Sequence, residues 1–397
     1  MSDLLRPGSH RADGVADDAA LVQAMLRVEV AWLRALADGK AATEDQVEAV
    51  SRAAAGWTPA LDPGDVEDAG NPVLPLVRAL RARIDEADTA DLVHAGLTSQ
   101  DVLDTALVLL ARDAVARVEA DLRRAADRLA DLADEHRGTV MAGRTLTQYA
   151  VPVTFGLKTA QWLTGVLDAA DALAVVRRSL PVQCGGAAGT LARAADLTDR
   201  PTDVAEALAG HLGLAWPALP WHTRRTPMTR LADALVETCD ALGVVATTVL
   251  TLTRPEIGEV REGAVAGRGA SSTMPHKQNP VLSVLVRAAA LQAPQLGAQV
   301  HVAAATAVDE RPDGAWHAEW PSLRRLLELT VVTAAQAAEL LAGLGVDTVA
   351  MARNADAAAD LLLAERGGEG TLADYLGATD AFVDAALARV RGAGHDS

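Results

Sequence analysis

Apolar positions along the chain fall mostly at helical spacing. From Asp101 to about Arg137, Leu103, Leu107, Leu110, Ala114, Val118, Leu122, Leu129 and Leu132 recur at steps of three, four or seven. That is one stripe of a helix roughly 50 Å long at about 1.5 Å per residue. The pattern returns at about Pro152 to Leu180, Pro227 to Arg254 and Pro280 to Asp309, and it predicts a fifth helix from Pro321 to Leu341. Pro152 suits a first helical turn, and Pro294 should kink the fourth helix. Ahead of these, residues 1–95 read as short helices, with Ala19 to Ala37 the clearest periodic stretch and breaks at T-P-A-L-D-P-G (58–64) and A-G-N-P (69–72). After Gly343 and Gly345 come short Ala-rich helices. The expectation is an all-α protein with an N-terminal helical domain (1–95), a central long-helix bundle domain (96–343) and a short C-terminal helical domain (344–397).

Composition strengthens this reading. Half of the residues are hydrophobic but only 3% are aromatic, so the apolar mass is Ala, Leu and Val, which favours packed helices over a β-sandwich. Long helices with most faces apolar have more surface to bury than one chain can cover, so a homo-oligomer sharing a helical core is expected. A net charge of −17 repels nucleic acid and anionic membranes, and an anionic substrate would need a local cationic pocket. The longest apolar run, Leu242 to Leu252, contains threonines and is too short for a bilayer, so no membrane segment is expected. Cys184 and Cys239 lack any metal-ligand or disulfide pattern, and a reducing cytoplasm is the expected compartment.

Three polar segments interrupt the long helices, and in a bundle such segments collect at helix ends, where dipoles and loose backbone can hold an anion. The first is H-A-G-L-T-S-Q-D, His94 to Asp101, where Thr98, Ser99 and Asp101 read first as caps of the long helix, and Thr98, Ser99 and Gln100 together would also suit a carboxylate. The second is G-R-T-L-T-Q-Y-A-V-P-V-T-F, Gly143 to Phe155, with Gln148 as a polar candidate and a cap and turn as the plainer alternative. The third is G-R-G-A-S-S-T-M-P-H-K-Q-N-P, Gly267 to Pro280. It places a glycine loop, paired hydroxyls, a cation and an amide side by side, in a composition that ordinary connectors share. Two Trp-His pairs near arginines complete the inventory: P-W-H-T-R-R with His222 and Arg225, and D-E-R-P-D-G-A-W-H-A-E-W with Arg311 and His317.

Together, S-S-T-M-P-H-K-Q-N-P, H-x-G-x-T-S-Q-D and G-R-T-x-x-Q-x-x-x-P-x-T-F-G resemble the three shared regions of the fumarase/aspartase superfamily, in the right order. V-Q-C-G-G-A-A-G-T-L-A, P-W-H-T and D-G-A-W-H-A-E-W are similar, within it, to the bacterial 3-carboxy-cis,cis-muconate cycloisomerases. The resemblance implies a three-domain subunit with a central five-helix bundle, and a homotetramer whose active sites are assembled from three subunits. It also implies a small tricarboxylate substrate and no cofactor or metal. Ser271 would handle the α-proton, with Ser272 and Met274 beside it. Lys277 and Asn279 would hold the aci-carboxylate intermediate, and Thr98, Ser99 and Gln148 would hold a carboxylate. Arg225 and Arg311 are candidates for the further carboxylates, and His94, His222 and His317 for polar pocket positions.

Two departures narrow the chemistry. Relatives that expel an amine or hydroxyl carry a histidine where this chain has Leu146, and a glutamate where it has Val284. A carboxylate leaves as a stable anion and needs no general acid, so loss of both suits lactonisation. A nitrite leaving group, as in nitrosuccinate lyase, fits equally, and a catalytically silent structural homologue is the contrasting class. From the cycloisomerase pattern itself the chain departs at Leu146, where a tryptophan is expected, and at Ala270, where the loop usually has glycine.

Overall fold

Apolar residues cover every face of the first half of the long helix beginning near Asp101, and a helix of that kind has to be surrounded. The computed structural model describes residues 3–265, 267–270, 273–274 and 277–393. In it, Val102, Leu103, Ala106, Leu107, Val108, Leu109 and Ala111 are at most 4% exposed. Each buried leucine of this stretch contributes about 1.5–3 kcal/mol.

Five short helices come first: α1 (Asp18–Asp38), α2 (Glu44–Ala54), α3 (Pro63–Ala69), α4 (Val73–Arg81) and α5 (Ala87–Leu92). Asp17 caps α1 through Ala20 N, and Thr43 with Gln46 closes a capping box on α2. The 37-residue α6 (Ser99–Glu135) follows, then strands β1 (Val140–Thr145) and β2 (Gln148–Thr154), and α7 (Phe155–Ser179). Next are α8 (Ala192–Ala195), α9 (Pro201–Leu212), α10 (Thr226–Leu252), β3 (Val260–Arg261), α11 (Val281–Ala305) and α12 (Gly314–Ala342). The chain ends with β4 (Gly345–Val346), α13 (Thr348–Ala357), α14 (Ala359–Leu362) and α15 (Thr379–Ala393). The fold is all-α, with antiparallel pairings β1–β2 and β3–β4 as the named strand pairs among the described residues.

The chain divides into two compact units, residues 1–116, 174–233 and 295–328, and residues 117–173, 234–294 and 329–397. Each of the five long helices, α6, α7, α10, α11 and α12, contributes residues to both. In the first unit α1 packs on α9 and α2. In the second, α13 lies on β1 and α14 on β2.

Three predicted boundaries change, and the simplest is the end of the fourth long helix, at Ala305 and not at about Asp309. Pro152 lies inside β2, opposite Ala142, and not in a helical first turn. A two-stranded hairpin has an outer edge on each strand, so a residue without an N–H is tolerated there. The fifth helix begins at Gly314, with Pro321 in its interior. The turns before Pro321 are fastened by Trp316 Nε1, which donates to Asp104 at 2.9 Å, and by the Glu319 ion pair with Arg225. Those contacts outweigh the backbone bond that proline removes.

By length and composition α10 and α11 could each cross a membrane, although the uninterrupted apolar run is short. Of the most apolar stretch, 50% is buried in α10 and only 33% in α11. Val244, Leu291 and Val302 are left exposed. Cys184 and Cys239 are free and buried, and burial pushes the Cys239 thiol up to about 11.

Candidate active site

In the first unit the site grows from the start of α6. Asp101, in its first turn, is fully buried, and its Oδ2 accepts from Thr98 N at 2.9 Å, which folds the T-S-Q-D segment into a capped turn. The same carboxylate accepts from Gly185 N at 3.0 Å and Gly186 N at 2.9 Å, and Nε2 of His222 lies 2.8 Å from Oδ1. One side chain therefore ties the Thr98 turn, the C-G-G loop and the W-H segment together. Gln100 adds a bond of 3.0 Å to the His222 carbonyl.

One turn further along α6, Asp104 accepts from Arg225 Nη1 at 2.6 Å, Arg225 Nη2 at 3.1 Å, Trp316 Nε1 at 2.9 Å and Gln183 Nε2 at 3.3 Å. Arg225 also donates to Glu319 through Nε at 3.1 Å and Nη2 at 2.5 Å. Four of its five N–H groups are thus committed, and its side chain is 2% exposed. Burial opposes the charge on Arg225, but the two carboxylates more than restore it and hold its pKa above the ordinary value. Arg225, a candidate for a substrate carboxylate, thus sits at the centre of a buried ion network. His222, 3% exposed, likewise spends its Nε2 on Asp101.

Arg311 is the contrast. Its Nη2 donates to Thr98 Oγ1 and, at 3.0 Å, to the Ala187 carbonyl, and it has no carboxylate partner among the described residues. Thr98 and Ser99 are 8% exposed. His94 adopts a left-handed backbone, φ 65°, and its Nδ1 lies 2.7 Å from Oε1 of Glu29. Burial works against charging His94, and the Glu29 carboxylate outweighs it, so its pKa lies above the ordinary histidine value. His317 is exposed, packs against Trp316 and Trp320, and places Nε2 2.8 Å from the Gly70 carbonyl.

The second unit holds the remaining candidates. G-R-T-L-T-Q forms a hairpin in which Thr145 pairs with Gln148, leaving Leu146 and Thr147 as a two-residue turn, with φ 49° and 72°. Positive φ at both positions is what a type I′ turn requires. A register shift sits at Gly143, where a Cβ would come within 2.3 Å of the Val151 carbonyl. Leu146 is 96% exposed, and Gln148 is exposed with its amide bonded only to Thr147 Oγ1, at 3.3 Å, among the described residues. Behind the turn, Arg144 Nη2 pairs with the buried Glu259 at 3.3 Å, and Asn354 Nδ2 donates to the same carboxylate at 2.9 Å. Burial lowers the Lys158 pKa, with Glu259 opposing and Arg144 assisting.

In the glycine loop, Ser271 and Ser272 lie outside the described residues. The base of the loop is closed. Asn279 N and Nδ2 both donate to the Gly269 carbonyl, at 2.9 and 3.0 Å, and Gln278 Nε2 donates to Arg268 O at 2.8 Å. Gly269 has φ 71°, and a Cβ there would come within 2.3 Å of the Asn279 carbonyl. Ala270 bridges to Gln278 without a positive φ, so its methyl introduces no backbone strain. Of the two side-chain N–H groups of Asn279, one is spent on the loop and the other has no partner among the described residues. Lys277 and Met274 are exposed, and Lys277 has no carboxylate partner among the described residues. Past the loop, Glu262 accepts from Ser283 N and Oγ, both at 2.7 Å, and from Leu282 N at 3.2 Å, a carboxylate at the N-terminus of α11.

Sequence reasoning took Asp101 only as a possible cap of the long helix, and missed Asp104, Gln183, Glu319, Glu259 and Glu29. A signal was present for the first of these: Asp104, like Asp101, interrupts the apolar surface of α6 where every neighbour is buried. The others are identified only by partners far away in sequence.

A family described as Lyase matches residues 19–294. The chain is 46% identical over 364 residues to nitrosuccinate lyase of Streptomyces davaonensis, covering 89% of this chain and 76% of that protein. It is 40% identical over 399 residues to 3-carboxy-cis,cis-muconate cycloisomerase of Bradyrhizobium diazoefficiens, covering 98% and 87%. The structure of 3-carboxy-cis,cis-muconate lactonizing enzyme from Pseudomonas putida superposes with a TM-score of 0.86 at 32% identity, covering 97% of each chain. The chain belongs to the fumarase/aspartase superfamily and is an enzyme of that class.

Proposed function

We propose that the chain is a 3-carboxy-cis,cis-muconate cycloisomerase, closing its tricarboxylate substrate to 4-carboxymuconolactone as a cytoplasmic homotetramer. One substrate carboxylate adds to the β-carbon of a double bond, and the charge that develops moves onto the carboxylate at the α-carbon. Lys277 and the remaining N–H of Asn279 hold that aci-carboxylate, and Ser271 delivers the proton to the α-carbon. The nucleophile is internal, so the protein supplies orientation and charge stabilisation, each of which can contribute several kcal/mol.

Arg311 is the observation that carries the reading. It is a guanidinium without a carboxylate partner among the described residues, bonded to a threonine hydroxyl at the head of a long helix, beside Ser99. With His94 in the same loop, this end of α6 has the charge to take a carboxylate beyond the one that Lys277 binds. Exposed apolar residues on α10 and α11 support assembly, since they would be covered in a shared helical core.

Nitrosuccinate lyase activity is the second reading, favoured by the 46% identity to that enzyme and by the apolar residues Leu146 and Val284. Loss of muconate absorbance, measured beside nitrite release from nitrosuccinate, separates the two. Rapid muconate loss without nitrite release is expected. Nitrite release alone overturns the first reading, and silence toward both overturns each. Sedimentation as a monomer at micromolar concentration would refute the tetramer.

A further inference from the structure

Glu29 has no role in capping or pairing within α1, yet it is 2% exposed in the middle of a helical core. Its Oε1 lies 2.7 Å from Nδ1 of His94, and its Oε2 is buried with no hydrogen-bond partner among the described residues. A carboxylate placed there with one partner is costly, and an apolar residue would pack better. The position is explained if the carboxylate acts through the histidine.

The surroundings of His94 leave its ring little freedom. Arg81 Nη2 donates to the Val93 carbonyl at 2.7 Å on one side, and Trp32 Nε1 donates to the Ala95 carbonyl at 2.7 Å on the other. Between them the His94 backbone is left-handed, and Glu29 fixes the ring through Nδ1. That leaves Nε2 as the ring's outward donor, with no partner among the described residues, in the loop that carries Thr98 and Ser99. The charged groups acting on the ring are Glu29 from α1, Asp101 from α6 and Arg81 from α4, two acids against one base.

We propose that Glu29 is a positioning residue: it orients His94 and keeps it an imidazolium whose Nε2–H binds a carboxylate of the substrate. This rests on reading the Thr98 loop as a carboxylate site. The raised pKa of His94 agrees with it, since burial alone would lower it and Glu29 reverses the sign. A histidine whose folded pKa is raised is fully charged below its ordinary value and loses its charge as pH rises through the raised one. Binding through His94 is therefore strongest at low pH and fades above that midpoint.

Two measurements on the full-length protein test the proposal. First, the His94 ring is titrated by NMR, with its resonance assigned by its loss in His94→Gln. The midpoint should lie above the ordinary value of about 6.5 and fall by about one pH unit or more in Glu29→Gln. Second, affinity for tricarballylate, a tricarboxylate that cannot react, is measured by calorimetry over about pH 6 to 9. It should weaken about tenfold across the His94 midpoint, and Glu29→Gln should move that weakening to lower pH by the same amount. Glu29→Asp, which keeps the charge, should restore most of both, and Glu29→Leu, which removes the charge without burying an unpaired polar group, replaces Glu29→Gln if that variant does not fold.

An unmoved midpoint in a folded variant overturns the dyad. A moved midpoint with an unmoved binding profile overturns the positioning role while leaving the loop as a carboxylate site. Failure of the wild-type protein to bind tricarballylate at any pH overturns the carboxylate reading of the loop, and the role of Glu29 with it.

Discussion

The start of α6 and the tip of the β1–β2 hairpin both carry motif residues of the superfamily, yet they are built in opposite ways. Around Asp101 and Asp104 almost every donor meets an acceptor inside the chain, and the side chains are buried. At the hairpin tip, Leu146 and Gln148 touch little and face outward, as Lys277 does in the glycine loop. Polar groups that are saturated at home set geometry, whereas groups left bare are available to a ligand or to another subunit. Motif membership alone does not separate these two roles. Arg225 and Arg311 make the point with one residue type, the first bound by two carboxylates and the second by none among the described residues.

The contrast predicts that variants at the bare positions lose activity and keep stability, and that variants at the saturated positions do the reverse. Ser271 lies outside the described residues and enters through the proposed mechanism alone: Ser271→Ala carries the largest expected effect, a loss of turnover of about 10⁴-fold with thermal unfolding and oligomeric state unchanged. Near-normal turnover in that variant would remove Ser271 from the mechanism. Next comes Arg225→Ala, which strands Asp104 and Glu319 in the core and should cost about 3–5 kcal/mol in denaturant unfolding. A variant as stable as wild type with weakened substrate binding would return Arg225 to the binding residues.

Gln148→Ala should raise KM about tenfold, the loss of one hydrogen bond to a charged group, with no change in melting temperature. An unchanged KM would make the hairpin tip irrelevant to the substrate. Smallest is the paired change Leu146→Asn and Thr147→Gly, which supplies the residues that a type I′ turn prefers and should stabilise the fold by about 1 kcal/mol. Destabilisation instead would mean that the exposed leucine is held by something outside its own chain.

Helical periodicity located α6 and α10 to within about two residues, because their apolar spacing is unbroken and their ends coincide with polar caps. It started α12 at Pro321 because proline usually marks a first turn, and the anchoring of Trp316 and Glu319 by Asp104 and Arg225 cannot be read locally. The hairpin was missed because Leu-Thr carries none of the Gly or Asn that announces a tight turn. For the site, the motif loops were legible as loops of the right chemistry. What stayed hidden was the division of labour: Asp104 and Arg225 are 121 positions apart, and their pairing is a property of the fold. Glu29 and His94 are 65 apart, and an acid on an apolar helix stripe looks like any other imperfection in the pattern.

Leu146 and Val284 stand at the two positions where the superfamily resemblance led one to expect a histidine and a glutamate. They are 96% and 51% exposed within this chain. A residue in such a place can change without disturbing the packing that keeps the subunit folded. A change of side chain at either position therefore alters what this chain presents to a ligand or to another subunit, while the interior that holds its helices together keeps every contact it has.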